Sequence, residues 1–521
     1  MGPGPLPISW LERLRQAPPG AARTEVIQAA PEGWQGVLQA LHDGPEPDEA
    51  LVRAQGLPEA LWQAPWPERL ARLLHEGSYA ARLVALSPSA PSVLARSSAR
   101  RDPAAALREA LAEHPIDDAL GLVRTHEYLR LLAREVEQAP LEEVGGDLSA
   151  LVSACLQGLL EALELADQVV VFGMGKLGGC ELNFLSDIDL VFVHDDATGE
   201  DPAQVVRLHD RLRQLVRHLE GQGRWRPLFR VDLRLRPFGS RGPLSTSMTA
   251  TEAYYERHGR PWERQVWLRA RPLAGRLDLG QLLLRRLTPF VYRRSVGPEI
   301  FAEIADMMRR ARRETSRIGT DEAIDLKLDA GGIREIEFTV QALQLLHGGR
   351  NPGVRSTGTL PALDRLLAAG LVSDREHREL SRAYRWLRRV EHRVQLADGQ
   401  QTHRVPADPQ ARAQLGRRLR WPAAAPPAAL EDELERHRSR VRAIARTIAG
   451  DDDSDEHVTD MAVVLDEGAP RRERCAALGR LGVHDPEETE AQLEHLLTRP
   501  SGPFAARGDA RQGAENLLRA C

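Results

Sequence analysis

The sequence predicts an α+β protein that is mostly helical, with one small mixed sheet in its middle part. Two observations carry this. Apolar residues recur at helical spacing through residues 1–150 and again beyond about residue 275, as in DDALGLVRTHEYLRLLAREVEQ and SRAYRWLRRVEHRVQLADGQ. Between those regions the period changes. QVVVF (168–172), IDLVFV (188–193) and FRVDLRL (229–235) are short β-branched or alternating runs.

In order along the chain, residues 1–150 read as an N-terminal helical region broken at APPGAA, HDGPEPDE and LSPSAPS. Residues 151–275 hold a helix candidate at 151–166, the three strand candidates, and a charged helix with apolar stripes at 203–221 that suits a crossover. Residues 276–450 are helical again, in the runs 281–294, 301–318, 333–349 and 381–400, with a proline-rich loop at 420–429 before a long charged helix. The acidic run DDDSDE (451–456) reads as a solvated linker leading into residues 451–521, where short helices follow. No internal repeat is visible.

Bulk properties exclude several classes. A length of 521 residues predicts roughly two to four domains. The net charge of -5 and the lack of a basic, aromatic-rich tract argue against a nucleic-acid partner. No apolar run approaches the ~20 residues of a membrane span, and no secretory signal opens the chain, so a cytoplasmic protein is expected. The cysteines Cys155, Cys180, Cys475 and Cys521 are scattered, which fits reduced thiols and argues against zinc. Of the 70 basic residues only Lys176 and Lys327 are lysines, both in glycine-bearing segments, GMGKLGG and KLDAGG. An ammonium is a compact point charge, where a planar guanidinium needs more room.

The stretch VFGMGKLGGCELNFLSDIDLVF (171–192) concentrates the chemistry. Gly173, Gly175 and Gly178 formally match a dinucleotide-binding G-x-G-x-x-G. That motif needs a helix and an acidic residue about 20 positions on. Asp187 follows Gly178 by nine, and CELNFLS is too short for a crossover helix. The Gly-Lys-Ser/Thr ending of a P-loop is absent. The glycine turn, with Gly179 and Lys176, therefore reads as a backbone that wraps phosphates beside an acidic pair.

Asp187 and Asp189, at i and i+2 in a strand, point to the same face, while Ile188 and Leu190 face the core. Two such carboxylates repel unless a cation lies between them, and Mg²⁺ suits carboxylates combined with substrate phosphates. Asp232, in FRVDLRLRP, is the candidate third ligand of a two-metal site. Arg234 and Arg236 are candidates to grip phosphate oxygens, with Ser186 as a further donor and Asn183 beside it. A lone DxD is more often a turn, and arginines in an arginine-rich chain more often a solvated face. The glycine turn just upstream, the apolar strands and the third aspartate shift the balance.

The segments GMGKLGGCELNFLSDIDLVF, FRVDLRLRPFGSRGPL, YYERHGRPWERQVWLRARPLAG, LKLDAGGIREIEFTVQ and YRWLRRVEHRVQLADGQQTHRVP resemble the DNA polymerase β-like nucleotidyltransferase superfamily. More narrowly, they resemble the bacterial glutamine synthetase adenylyltransferase/deadenylylase family. The resemblance covers about residues 115–450. It implies a nucleotidyltransferase core flanked by helical domains, with residues 276–450 closing over the nucleotide. It also implies Mg²⁺ on Asp187, Asp189 and Asp232, ATP or ADP and phosphate as substrates or products, and glutamine synthetase and a PII-type signal protein as partners. The family's usual enzyme carries two such modules, and this chain carries one, so a separate second module is a further expected partner. GGIREIEF, RLRPFGSRGPL and ELNFLSD are similar to the half that removes AMP from a glutamine synthetase tyrosine by phosphorolysis, giving ADP. The forward transfer from ATP needs the same site, and a catalytically silent binder of glutamine synthetase or PII is the alternative from another class.

Overall fold

The computed structural model describes residues 8–62, 67–87, 89–293, 324–420, 428–449 and 470–480, with a few positions between 486 and 491. The runs expected at 301–318 and 451–456, most of the 420–429 loop and the tail beyond 491 lie outside the described residues. The architecture is helical around one five-stranded mixed sheet.

Short helices from Ile8–Gln16 to Pro103–Glu113 lead into two long ones, Ile116–Val136 and Leu141–Ala162. The helix expected at 151–166 begins ten residues earlier. Pro140, extended at φ -54 and ψ 139, precedes its first turn, and Glu142 and Glu143 complement the helix dipole there.

The strands are β1 (Val169–Gly173), β2 (Asp187–His194), β3 (Arg230–Asp232), β4 (Ser245–Ser247) and β5 (Arg271–Gly275). Their order is β3-β2-β1-β5, with β4 also on β2. β1 runs antiparallel to β2 and β5, whereas β2 runs parallel to β3 and β4. An antiparallel β1/β2 pair is incompatible with the parallel βαβ unit of a dinucleotide fold, in keeping with the short spacing read from the sequence. The parallel β2–β3 step needs a crossover. The helix Pro202–Glu220 supplies it, burying Leu208, Leu212, Leu215 and Leu219 on one stripe. Asp201 caps its first turn through the Ala203 N–H, and Gly221 leaves it at φ 76.

Both faces of the sheet are covered, and period two sorts the residues. Val169, Val171, Ile188, Leu190 and Phe192 join the core of the N-terminal helices. Val170, Phe172, Val191 and Val193 join a second core with Tyr255, Trp267 and Leu283. Asp187 and Asp189 share the parity of Val191 and Val193, so the acidic face of β2 continues into this second core.

The third strand is shorter than its alternation predicts. It ends at Asp232, because the Arg234 N–H donates to Asp232 Oδ1 at 2.8 Å and turns the chain away. Residues 233–244 then leave the sheet, and the chain rejoins the same edge of β2 as β4.

Beyond the Leu277–Val291 helix, Ile333–His347, Thr359–Ala368, Asp374–Asp398 and Ala429–Ala449 build a third core around Leu326, Ile336, Tyr384, Leu387 and Leu434. The Asp374–Asp398 helix opens with a reciprocal Ser373–Glu376 capping box and closes at Gly399, φ 66. It packs between the Ser78–Leu86 and Ala429–Ala449 helices. Among the described residues no helix is long and apolar enough to cross a membrane.

Candidate active site

The parallel register sets Asp187 opposite Arg230 and Asp189 opposite Asp232. Neighbouring strands lie ~4.8 Å apart, so the three carboxylates cluster at one end of the sheet. They line a cavity of about 880 Å³, large enough for a nucleotide. Gly175, Lys176 and Ser186 line it with them, and so does Lys327 from the helical part of the chain. The two lysines of the sequence, 151 positions apart by number, thus meet in one cavity with the three aspartates.

The aspartates differ in their surroundings. Asp187 is paired with Arg230 Nε at 2.9 Å and accepts from Gln401 Nε2 at 3.3 Å. Asp232 accepts from the Arg234 backbone and its guanidinium, with Nη2 at 2.6 Å, which holds its carboxyl below the usual range. The Asp189 carboxylate has no hydrogen-bond or ion-pair partner among the described residues, while its backbone carbonyl accepts from the Met174 N–H at 2.9 Å. Burial, and then the negative charges of Asp232 and Asp187, push its carboxyl up to about 7. Gly175 sits at φ 53, and a Cβ there would lie 3.0 Å from Asp189 Oδ2, so the turn needs glycine both for its backbone and for its approach to this acid.

Among the described residues no three acidic, histidine or cysteine side chains form a ready metal cluster. Arg230 and Arg234 hold two of the three acids. The donor set nonetheless fits a hard divalent cation. It consists of carboxylate oxygens on two adjacent strands, and the middle one is unpartnered and charged against its neighbours. Asp187, Asp189 and Asp232 would hold such a cation once the arginines release them.

Lys176 is 15% exposed, stands 3.4 Å from Glu391 Oε1, and is pushed down to about 8 by burial. Glu391, on the Asp374–Asp398 helix, is wholly buried. Burial alone would raise its carboxyl, but Lys176, His403 and Arg388 hold it well below its usual value. His403 Nδ1 stands 2.6 Å and Arg388 Nε 3.0 Å from its oxygens. The same helix grips the segment between the glycine turn and the aspartates. Asn183 donates to Glu391 Oε2 at 2.7 Å and accepts from His392 Nε2 at 2.8 Å and from Arg388. Glu181 accepts from Arg269 and from the Tyr384 hydroxyl, and Arg388 Nη2 donates to the Glu181 carbonyl at 2.6 Å.

Several expected residues take other roles. Gly173, Gly178 and Gly179 do not line the cavity. A Cβ on Gly178 would come within 1.8 Å of the Arg269 carbonyl, and one on Gly179 within 2.9 Å of the Thr357 carbonyl, so these glycines serve packing. On Gly173 a Cβ would meet Leu273 and Leu177. Arg236 also lies outside the cavity lining. It donates to the carbonyls of Leu233, Ser240, Gly242 and Pro243 and closes the 233–244 loop on itself. Arg234 does reach the cavity, with its charge on Asp232. Ser186 lines the cavity while its Oγ accepts from the Asn183 N–H at 3.2 Å. Asn183 is 2% exposed and acts as a connector. Sequence reading missed Glu391, Arg269, Glu337, Gln401 and Arg260 at the site. The signal for the first was a helix whose charged residues fall on every face.

Residues 86–286 match the family model of glutamate-ammonia ligase adenylyltransferase, and residues 301–449 match that of GlnD PII-uridylyltransferase. A bifunctional glutamine synthetase adenylyltransferase/adenylyl-removing enzyme of Thioalkalivibrio sulfidiphilus is 37% identical over 410 residues, 72% of this chain and 41% of the relative. Its counterpart in Xanthomonas campestris pv. campestris is 35% identical over 492 residues, 87% of this chain and 50% of the relative. That of Bordetella pertussis is 37% identical over 366 residues, 63% of this chain and 38% of the relative. The chain spans at most about half the length of these curated relatives. With this wording and this strand arrangement, the chain belongs to the glutamate-ammonia ligase adenylyltransferase family and corresponds to the N-terminal half of its longer members.

Proposed function

We propose that the chain is a Mg²⁺-dependent nucleotidyltransferase that removes AMP from a modified tyrosine of glutamine synthetase, using inorganic phosphate. The observation that carries this reading is the meeting of Asp187, Asp189 and Asp232 with Lys176 and Lys327 in one cavity of nucleotide size. Carboxylates that hold a cation, facing ammonium groups, are what an in-line displacement at phosphorus requires. A phosphate oxygen bonds to the α-phosphorus of AMP-tyrosine, the bond from phosphorus to the tyrosyl oxygen breaks, and the phenolate takes a proton. ADP and unmodified tyrosine result. A phenol of pKa ~10 leaves readily, so positioning and charge neutralisation do most of the work, and no covalent enzyme intermediate is needed.

Residues 151–275 form the transfer core in this reading. Residues 276–450 supply the cover, contributing Lys327, Arg334, Glu337 and Gln401 to the cavity wall. The direction rests on the resemblance of GGIREIEF and RLRPFGSRGPL to the removing half of the family. A PII-type protein is the proposed regulator, which the match of residues 301–449 supports.

The test is incubation of the purified protein with adenylylated glutamine synthetase, phosphate and Mg²⁺, following ADP. Transfer of AMP from ATP onto unmodified synthetase, with no ADP in the first assay, reverses the direction. The Asp187→Asn, Asp189→Asn double variant should lose either activity and keep its circular dichroism. Retained turnover in it sinks the metal-site reading.

A further inference from the structure

The cavity of the three aspartates is also bounded by a pair of packed helices, Pro261–Leu268 and Ile333–His347. The first brings Trp262, Gln265 and Val266 to the cavity, with Arg269 just past its end. The second brings Glu337, Phe338 and Gln341. These positions recur at three- and four-residue intervals, so each set is one face of its helix.

The faces are joined by a charged rung and a neutral rung. Arg269 Nη1 donates to Glu337 Oε1 at 3.3 Å, and Gln265 Nε2 donates to Gln341 Oε1 at 3.2 Å. Gln265 precedes Arg269 by four residues and Gln341 follows Glu337 by four. The neutral rung therefore lies one helical turn, ~5.4 Å, from the charged one. Burial raises the Glu337 carboxyl, but Arg269 and then Lys176 hold it below its usual value. The charged rung thus belongs to the lysine side of the cavity, and the neutral rung stands one turn removed.

The neutral rung is incomplete. Gln265 is 9% and Gln341 7% exposed, and both line the cavity. Their mutual bond uses one N–H and one carbonyl oxygen. Gln265 Oε1 and Gln341 Nε2 have no hydrogen-bond partner among the described residues. Other buried glutamines have their amino groups engaged. Gln344 Nε2 donates to the Val354 and Ser356 carbonyls, and Gln395 Nε2 to the Thr402 carbonyl. Nearly buried polar atoms without partners are costly, so a ligand that supplies the partners is favoured. Beside the open amide atoms the same helix faces carry Val266, Phe338 and Trp262, the last 46% exposed.

We propose that the Gln265–Gln341 pair reads the base of the nucleotide, Gln341 Nε2 donating to N1 of adenine and Gln265 Oε1 accepting from its 6-amino group. This deepens the proposed function and rests on the reading of the cavity as a nucleotide site. An open donor beside an open acceptor, with no net charge, matches the donor–acceptor edge of adenine. A phosphate needs donors alone, and the open Gln265 oxygen repels it. Hypoxanthine presents the reverse order, N1–H and O6, which sets donor against donor and acceptor against acceptor. Trp262 and Phe338 offer ring faces on which a two-ring base stacks. With phosphates at the lysines and the acids, the base falls to the neutral rung.

The experiment is calorimetric titration of the full chain, in Mg²⁺, with ADP and with inosine diphosphate. ADP should bind about tenfold tighter. Gln341→Met has similar length and no hydrogen-bonding amide. In it ADP should weaken about tenfold, as for a hydrogen bond lost with its partner left unpaired, and the preference should fall to about one. Its circular dichroism should be unchanged. Trp262→Ala, an exposed change, should weaken both nucleotides alike and keep the preference. Equal affinity for the two nucleotides in the unmodified protein, or a preference that survives in Gln341→Met, overturns the base reading and leaves the nucleotide site standing. A change confined to one nucleotide in Trp262→Ala overturns the stacking. No binding of either nucleotide overturns the nucleotide site itself, and this inference with it.

Discussion

Asn183 Nδ2 donates to Glu391 Oε2 at 2.7 Å, tying the segment between glycine turn and aspartates to a helix 208 residues further along. Glu391 is the only acid that balances Lys176 and Arg388 within ion-pair distance among the described residues. Its geometry therefore supports both the glycine turn and the approach to Asp187.

Glu391→Gln should keep the shape and leave buried positive charge uncompensated. Removing one partner of such a buried set costs ~3–5 kcal/mol. A clearly lowered urea midpoint is the expected outcome, with loss of transfer activity at temperatures where the protein stays folded. An unchanged midpoint would show that the network is dispensable.

Lys176 carries a pKa pushed down to about 8. Its ammonium is charged below that value, so transfer that depends on it should decline as pH rises through about 8. Lys176→Arg keeps its charge far above this range and should lose that alkaline limb, at a lower rate because a planar fork replaces a point charge. The pH–rate profiles of the two proteins check this.

His75 predicts an acid limb of stability. Its Nε2 lies 3.0 Å from the Ala40 carbonyl, and its Nδ1 accepts the Glu46 N–H, so the neutral ring is fully satisfied. Burial pushes its pKa down to about 4. Glu46 works against that shift, and Arg53 and Arg418 add to it. A folded pKa below the unfolded one gives stability that is complete above about 6.5 and is lost as pH falls towards 4. The loss amounts to ~3 kcal/mol. Thermal melts from pH 7 to 4 should show it, and His75→Gln should flatten that dependence.

Two glycines of one turn should respond differently to alanine. Gly178→Ala drives a Cβ against the Arg269 and Gly173 carbonyls, both backbone, so the strands must shift. The expected cost is ~1–3 kcal/mol or more. Gly175→Ala meets only the flexible end of Asp189 and a left-handed backbone, costing ~1 kcal/mol. Its larger effect should fall on turnover. Melting temperature and rate, measured side by side, separate the two.

The local part of the site was legible because period two decides it. Asp187 and Asp189 share a face in any strand, and nine residues after Gly178 leave no room for a helix. The oddity of two lysines in an arginine-rich chain also pointed to the cavity. What stayed hidden depends on where elements end and on partners far away. Arg236 turned inward because β3 stops at Asp232, and no pattern in FRVDLRLRP marks that stop. RRVEHRVQ reads as helical, with charged residues on every face. Only the packing of other helices around it makes Arg388, Glu391, His392 and Arg393 interior.

The distance in sequence between Asn183 and Glu391 has a bearing on how the chain assembles. β1 and β2 are near neighbours and can pair early, since closing a short loop is fast. The turn between them is held by a helix that leaves the ribosome some 200 residues later. Asp187 and Asp189 can therefore be placed on their strand before the loop beside them is fixed, and Asp232 joins once the Pro202–Glu220 crossover has formed. A nascent or truncated chain ending before residue 374 would carry all three acids and lack the clamp. Such a chain would lack the hydrogen bonds that the Asp374–Asp398 helix makes to Asn183 and to the Glu181 carbonyl.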